Sequence, residues 1–147
     1  MQIKSKRDEV VELINKLFVY TDSQQWNKLV KEVFKERVLF DMTSLGSGPA
    51  KEMTAVAICD LWRKGFAGID HVHHQSGNFI VDFNEAGIEA DVFCYASASH
   101  YKERATQGTT RGFIGSYNFH ASFTDLGWRL DSFKYNLKYI TGNEELK

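Results

Sequence analysis

Asp70-His71-Val72-His73-His74 marks the point in the chain where a helical pattern gives way to a strand pattern. Before this stretch, apolar residues recur every three to four positions. After it, they alternate along long runs that are separated by short turns. Helices followed by a meander of long strands predict an α+β domain, with N-terminal helices packed on a curved antiparallel sheet. The stretch also holds three of the five histidines, and histidine exchanges a proton near neutral pH.

Three helices are predicted before this stretch. Ser5 and Asp8 resemble a weak capping box ahead of an amphipathic helix over about residues 6–20. Asp22 fits the N-cap of a second, shorter helix, which is followed by a short strand at residues 37–42. A loop with the only proline precedes a third helix, predicted to begin at Met53 and to end near Gly65 or Gly68.

Four long strands are predicted after the third helix. They cover about residues 71–83, 87–102, 109–123 and 128–140. The turns between them are short and rich in Gly, Asn and Asp, which is typical of antiparallel neighbours. A chain of 147 residues with 43% hydrophobic residues is then most simply a single domain, residues 1–147.

Composition argues against several functional classes. The net charge is −1 and the sequence pI is about 6.5. We therefore expect no basic surface patch that would bind nucleic acid. No run of about 20 apolar residues could span a bilayer, and no secretory segment precedes the first helix, which predicts a soluble, cytoplasmic protein. Cys59 and Cys94 have no zinc-ligand or CxxC spacing and are interpreted as reduced thiols. His71 and His73 could share a strand face but lack a third ligand, so no metal is expected.

Strand alternation predicts a cavity. On the strand over 87–102, small side chains share one face with His100 and leave space that a packed core would fill. On the next strand, Ser116 and Asn118 share one face, while Tyr117 and its aromatic neighbours share the other. If the cavity lies between sheet and helices, the aromatic face points away from it. A partner subunit covering that face would make the protein a homo-oligomer, a dimer or a trimer.

Each of these polar residues has two interpretations. Asp22 could be an N-cap, a catalytic acid, or both. His100 could be a hydrogen-bonded core residue or a catalytic one, and Ser116 and Asn118 could be solvated strand residues. His120 has no assigned role.

Read in order, five short motifs suggest a family. They are Tyr20-Thr21-Asp22-Ser23-Gln24-Gln25-Trp26, His74 with Gly77, His100-Tyr101, Ser116-Tyr117-Asn118 and Gly127-Trp128-Arg129. Their order and spacing resemble the scytalone dehydratase and SnoaL-like branch of the NTF2-like superfamily. The resemblance covers nearly the whole chain.

The resemblance implies a cone-shaped barrel whose sheet wraps a deep pocket closed by helices. It implies that Asp22 orients His74, that His100 is a second pocket histidine, and that Ser116 and Asn118 turn inward to hold substrate or water. Two positions depart from the family pattern. Where scytalone dehydratase has tyrosines that polarise the substrate, this chain has Thr21 and Met42, so scytalone itself is not the expected substrate.

The expected chemistry follows from these residue types. A carboxylate bound to one ring nitrogen of His74 leaves the other free to remove a proton next to a carbonyl, and His100 could assist a departing hydroxyl. The predicted function is a cofactor-independent lyase or isomerase acting on a small cyclic, carbonyl-bearing substrate of polyketide or steroid type. Apolar walls are expected from Trp26, Val30, Met42, Met53, Leu61 and Trp62. The alternatives are a non-enzymatic binding protein for a small hydrophobic metabolite and, less favoured, a scaffold that associates through its sheet.

Overall fold

Helix α1 (Lys6–Asp22) opens the fold in the computed structural model, which describes residues 3–147. The predicted capping box is confirmed: the Asp8 backbone N–H donates to the Ser5 side chain, and the Asp8 carboxylate accepts from the Ser5 backbone N–H. These bonds satisfy N–H groups that a helix start would otherwise leave unpaired. The helix buries a stripe at three-to-four spacing, formed by Val10, Leu13, Ile14, Leu17, Phe18 and Thr21.

The segment after α1 is less regular than predicted. Helix α2 (Trp26–Lys28) is a single turn that continues into a π-helical turn at Leu29–Val33. Gln25, not Asp22, occupies the N-cap position of α2, and its side chain makes no capping hydrogen bond. The N-cap interpretation of Asp22 is therefore wrong, because α1 extends to this residue and its carboxylate is engaged elsewhere.

A short strand was missed before the third helix. Strand β1 (Phe34–Asp41) is followed by β2 (Lys51–Thr54), and the two pair antiparallel. Helix α3 (Ala55–Gly65) begins two residues later than predicted. The Ala57 backbone N–H donates to Thr54 Oγ1 at 3.1 Å, which makes Thr54 the N-cap and places Met53 in the strand.

The four long strands are confirmed, with small shifts at their ends. They are β3 (His71–Phe83), β4 (Glu89–Tyr101), β5 (Thr110–Thr124) and β6 (Gly127–Gly142). The six strands form one sheet in the order β2-β1-β6-β5-β4-β3. The prediction of an antiparallel sheet needs one correction, because β1 pairs parallel with β6.

The register between β4 and β5 decides which residues face inward. Cys94 lies opposite Tyr117, and His100 lies opposite Arg111, so even-numbered residues of β4 share a face with odd-numbered residues of β5. Tyr117 is consequently buried beneath α1, with its ring 5.2 Å from that of Phe18. The prediction that the aromatic face points away from the cavity is wrong, since α1 of the same chain covers it.

Two further features bear on the sequence predictions. Cys59 and Cys94 are buried free thiols. Burial raises the pKa of Cys59 to about 11 and that of Cys94 to about 12, so neither is a reactive thiolate near neutral pH. Among residues 3–147, no helix combines the length and apolar character that crossing a membrane requires.

Candidate active site

The helices and the sheet line a partly open cavity of about 250 Å³. Apolar side chains form most of its wall: Leu17, Phe18, Met42, Leu45, Trp62, Phe66, Ala98, Phe113 and Phe133. Polar groups are contributed by Thr21, His74, His100, Arg111, Tyr117 and Tyr135. A largely apolar cavity with a few converging polar groups is typical of small-molecule sites, which commonly hold about 300–1,000 Å³. This cavity lies just under that range and therefore suits a small ligand.

His74 lines this cavity, and Asp22 contacts His74 from outside the lining. Asp22 is the last residue of α1 and His74 lies near the start of β3, far apart in sequence. Asp22 Oδ1 lies 2.6 Å from His74 Nδ1, and Asp22 Oδ2 accepts the His74 backbone N–H at 2.8 Å. One carboxylate thus holds both the main chain and the ring of the same residue.

This contact selects one tautomer of the neutral imidazole. An ionised carboxylate only accepts hydrogen bonds, so in the neutral ring His74 Nδ1 carries the proton and Nε2 has the lone pair. The His74 side chain is 10% exposed and its ring stacks on Phe18 with centroids 5.1 Å apart. A buried imidazole oriented by a carboxylate, with a free nitrogen, is the arrangement of a general base.

His100 is bound by a hydrogen-bond donor, whereas the partner of His74 is an acceptor. Arg111 Nε donates to His100 Nδ1 at 3.0 Å. Burial, followed by the positive charge of Arg111, lowers the pKa of His100 to about 4. His100 is therefore neutral near neutral pH, with its proton on Nε2. It can donate a hydrogen bond from Nε2, but it does not act there as an imidazolium acid.

The low pKa of His100 predicts a pH-dependent stability. Unfolded, the residue takes up its proton near its ordinary pKa of 6.5; folded, it does so only near about 4. Its stabilising contribution is complete above about pH 6.5 and is lost as the pH falls toward about 4, at about 1 kcal/mol per pH unit. Urea unfolding of the wild type and His100→Gln across this window should show a steeper loss of unfolding free energy in the wild type. Equal slopes would contradict the prediction.

Tyr117, which the sequence prediction placed on the outer face, and Tyr135, to which it gave no role, also line the cavity. The rings of Tyr117 and Tyr135 lie 4.8 Å apart. Burial raises the pKa of both hydroxyls, that of Tyr135 to about 12, so both stay protonated. The Tyr135 hydroxyl is buried and has no hydrogen-bond partner within residues 3–147.

Several predicted wall residues lie outside the cavity. Ser116 and Asn118 point to the other face of β5, where Asn136 Nδ2 donates to Asn118 Oδ1 at 2.8 Å. Their predicted inward orientation is wrong because the register places Tyr117 inward. Trp26 stacks on Phe66 rather than reaching the cavity. Met42 and Trp62 do line it, whereas Val30, Met53 and Leu61 do not.

The remaining histidines lie away from the cavity. His71 and His73 are exposed on β3. His120 lies on the outer face, with Nδ1 2.5 Å from Asp131 Oδ1 and Nε2 3.3 Å from Glu89 Oε1. No group of three His, Cys, Asp or Glu side chains in the described range 3–147 is arranged to hold a metal ion.

Comparison with known families identifies the class of protein. The profile of the SnoaL-like domain matches residues 4–134, most of the chain. The chain therefore belongs to the SnoaL-like family, as its motifs suggested. A search of curated protein sequences finds no match to it.

Solved structures confirm the NTF2-like fold. A protein of Kribbella flavida superposes with a TM-score of 0.88 at 24% identity, over 96% of this chain and 95% of its own. A candidate scytalone dehydratase of Novosphingobium aromaticivorans gives 0.75 at 16% identity, over 91% and 85% of the two chains. The LinA-type3 hexachlorocyclohexane dehydrochlorinase of Novosphingobium barchaimii gives 0.76 at 14% identity, over 92% and 88%. At sequence identities this low, the structural similarity supports the fold and not a shared activity.

Proposed function

We propose that this protein is a cofactor-independent lyase that removes a proton next to a carbonyl and expels a leaving group from a small cyclic substrate. The observation that carries the proposal is the Asp22–His74 pair at the cavity wall, with Asp22 Oδ1 2.6 Å from His74 Nδ1. A carbon acid activated by a carbonyl needs a positioned base and a hydrogen-bond donor for the developing oxyanion. The cavity supplies both from its own side chains.

The proposed reaction proceeds by proton transfer alone. His74 Nε2 takes the proton from the carbon next to the carbonyl, and the resulting imidazolium is stabilised by Asp22. Negative charge develops on the carbonyl oxygen, where the Nε2–H of His100 can donate to it. The electron pair then forms the carbon–carbon double bond as the bond to the leaving oxygen breaks. The imidazolium returns its proton to that oxygen, which leaves as water.

The size and polarity of the cavity narrow the substrate class. A volume of about 250 Å³ lies just under the range of about 300–1,000 Å³ for common ligand sites. Aromatic walls from Phe18, Phe113 and Trp62 suit the faces of a flat ring. A compact substrate of one or two rings with a carbonyl group fits best.

The solved relatives support the reaction type. One is a candidate dehydratase, which by its name removes water, and another is a dehydrochlorinase, which by its name removes hydrogen chloride. Both names describe eliminations on an NTF2-like fold. We extend that reaction type to this chain because its Asp22–His74 pair supplies a suitable base.

The polar wall differs from that of scytalone dehydratase. The Thr21 hydroxyl donates to the Leu17 carbonyl at 2.6 Å, so its proton is not available to a ligand, and Met42 has no hydroxyl. Tyr117 and Tyr135 supply hydroxyls at other places on the wall. A different arrangement of donors favours a substrate other than scytalone.

Hydrogen–deuterium exchange tests this function across a range of candidate substrates. The protein is incubated in D2O with a panel of single-ring and two-ring β-hydroxy ketones, and NMR follows loss of the proton next to the carbonyl and appearance of the alkene. We expect exchange and dehydration of at least one member. Asp22→Asn should slow both by about 10²-fold or more, because the amide no longer enforces the basic tautomer of His74.

Asp91→Asn is the matched control. Asp91 is an exposed carboxylate on β4, and its replacement should leave the rates unchanged. Panel members that bind in the cavity without exchange or conversion would contradict the proposed reaction and favour the binding-protein alternative, which the largely apolar wall also fits.

A further inference from the structure

Arg111 is held on three sides beside the cavity. Its Nε donates to His100 Nδ1 at 3.0 Å, and its Nη1 donates to the Glu144 carbonyl at 3.0 Å. Its guanidinium also lies over the Phe113 ring, 5.3 Å from the centroid. Among residues 3–147, no carboxylate forms an ion pair with it. A side chain fixed by these contacts has a defined geometry toward His100.

The segment that follows β6 secures the Glu144 carbonyl. The Asn143 backbone N–H donates to the Thr110 carbonyl at 2.9 Å, and Asn143 Nδ2 donates to the Gly108 carbonyl at 2.9 Å. Leu146 is 3% exposed and anchors the same segment. The acceptor for Arg111 is thus part of a hydrogen-bonded turn rather than a freely moving chain.

The two cavity histidines have partners of opposite hydrogen-bonding type. Asp22 is an acceptor only, so it requires a proton on His74 Nδ1. Arg111 is a donor only, so it requires a lone pair on His100 Nδ1. In the neutral rings the remaining nitrogens therefore differ: Nε2 of His74 has a lone pair, and Nε2 of His100 carries a proton. One fold thereby makes a base of one imidazole and a donor of the other.

We infer that Arg111 is a positioning residue that fixes His100 as a neutral Nε2–H donor, so that His100 binds the acceptor oxygen of the substrate while His74 faces the proton to be removed. The oxygen-binding role rests on the proposed function, whereas the tautomer does not. His100 lines the cavity, and Nδ1 is occupied by Arg111. The Nε2–H is left for a carbonyl or carboxylate oxygen.

Most of the surroundings of His100 disfavour its imidazolium form. Burial and the positive charge of Arg111 disfavour the imidazolium, and His74 does so as well, while only Asp22 favours it. The donor state therefore persists through the neutral pH range. Arg111 controls which nitrogen carries the proton, which burial alone does not.

Nitrogen NMR of the free protein tests the tautomer. Two-bond proton–nitrogen correlations should show His100 protonated at Nε2 at about pH 7 and not titrating between about pH 5.5 and 8. In Arg111→Met the Nδ1–H tautomer should become populated, and in Arg111→Lys, which keeps a donor-only cation, the wild-type tautomer should be retained. Lys138→Met is the control, since Lys138 lies over Tyr95, a side chain outside the cavity lining. A wild-type His100 protonated at Nδ1, or an imidazolium at about pH 7, overturns the inference even if a variant fails to fold.

A second titration separates this inference from the proposed reaction. Cyclohexanone carries an acceptor oxygen, and methylcyclohexane has a similar size without one. We expect cyclohexanone to shift the His100 Nε2 resonance and methylcyclohexane to leave it unchanged, whether or not any substrate is turned over. Equal responses to the two probes, or no response to cyclohexanone, would contradict the oxygen-binding role. Failed turnover with a positive response would contradict only the lyase proposal.

Discussion

His74→Ala is expected to lower turnover of any panel substrate by about 10²–10⁴-fold, the usual contribution of a positioned proton transfer. The loss should appear mainly in kcat, because the small methyl group leaves the aromatic walls in place to bind the ring. Asp22 would then face the cavity edge without its imidazole partner. Steady-state rates, together with the deuterium exchange assay, measure the effect.

His73→Ala provides the matched control for this prediction. His73 precedes His74 on the same strand, and it is exposed while the His74 side chain is only 10% exposed. Its replacement should leave turnover within about twofold, since its side chain does not line the cavity. If both variants kept wild-type turnover, the proposed base would be wrong. If both lost it equally, local damage to β3 would explain the result better than chemistry.

Gly115→Ala is expected to destabilise the fold by about 3 kcal/mol or more, at or above the upper end of typical overpacking costs. A Cβ at this position would lie 2.2 Å from the Asn136 carbonyl oxygen and 2.7 Å from the Tyr135 hydroxyl. Because the nearest atom belongs to the backbone of β6, no rotation of a side chain relieves the clash. The strands would have to move apart at the register shift between Ile114 and Gly115. Urea unfolding monitored by far-UV circular dichroism gives the free energy of unfolding.

Gly77→Ala is the control for this glycine. It lies on β3, and a Cβ there would meet no atom within 4 Å. Its unfolding free energy should stay within about 0.5 kcal/mol of the wild type, the usual range for a surface substitution. Similar stabilities of the two variants would show that β5 and β6 can separate without cost near Tyr135.

Local patterns were sufficient to predict the long strands, but not which face of each strand points into the cavity. The alternation of apolar and polar residues, together with the turn residues, predicted the ends of β3 to β6 to within a few residues, because both signals lie within each hairpin. The inward face of β5 depends instead on its register with β4. That register could have been read from the turn between them: a hairpin centred on residues 105–106 places His100 opposite Arg111. The same step would have turned Tyr117 inward and revealed Arg111 as a neighbour of His100.

Non-local pairing explains the other errors in the fold. Strand β2 has four residues and forms only through its contact with β1, so its sequence carries too little alternation to separate it from the start of α3. The parallel pairing of β1 with β6 joins elements from opposite ends of the chain, and no short pattern encodes it.

The resemblance to a family, rather than local pattern, brought Asp22, His74 and His100 together in the sequence prediction. The structure places all three at or beside one cavity, while their catalytic roles remain predictions. Asp22 illustrates the difficulty of using local rules alone. Its position after a helix and before a Gln satisfied the preference for an N-cap, yet its hydrogen bonds go to a strand fifty-two residues away.

The parallel alignment of β1 with β6 also has a consequence for the order of folding. Met42 and Leu45 follow directly after β1 and close one side of the cavity, but β1 is anchored beside Phe133 and Lys134, near the far end of the chain. Closing a loop of this length costs more chain entropy than closing a hairpin. This wall of the cavity can be completed only once β6, the last strand of the chain, is available for pairing.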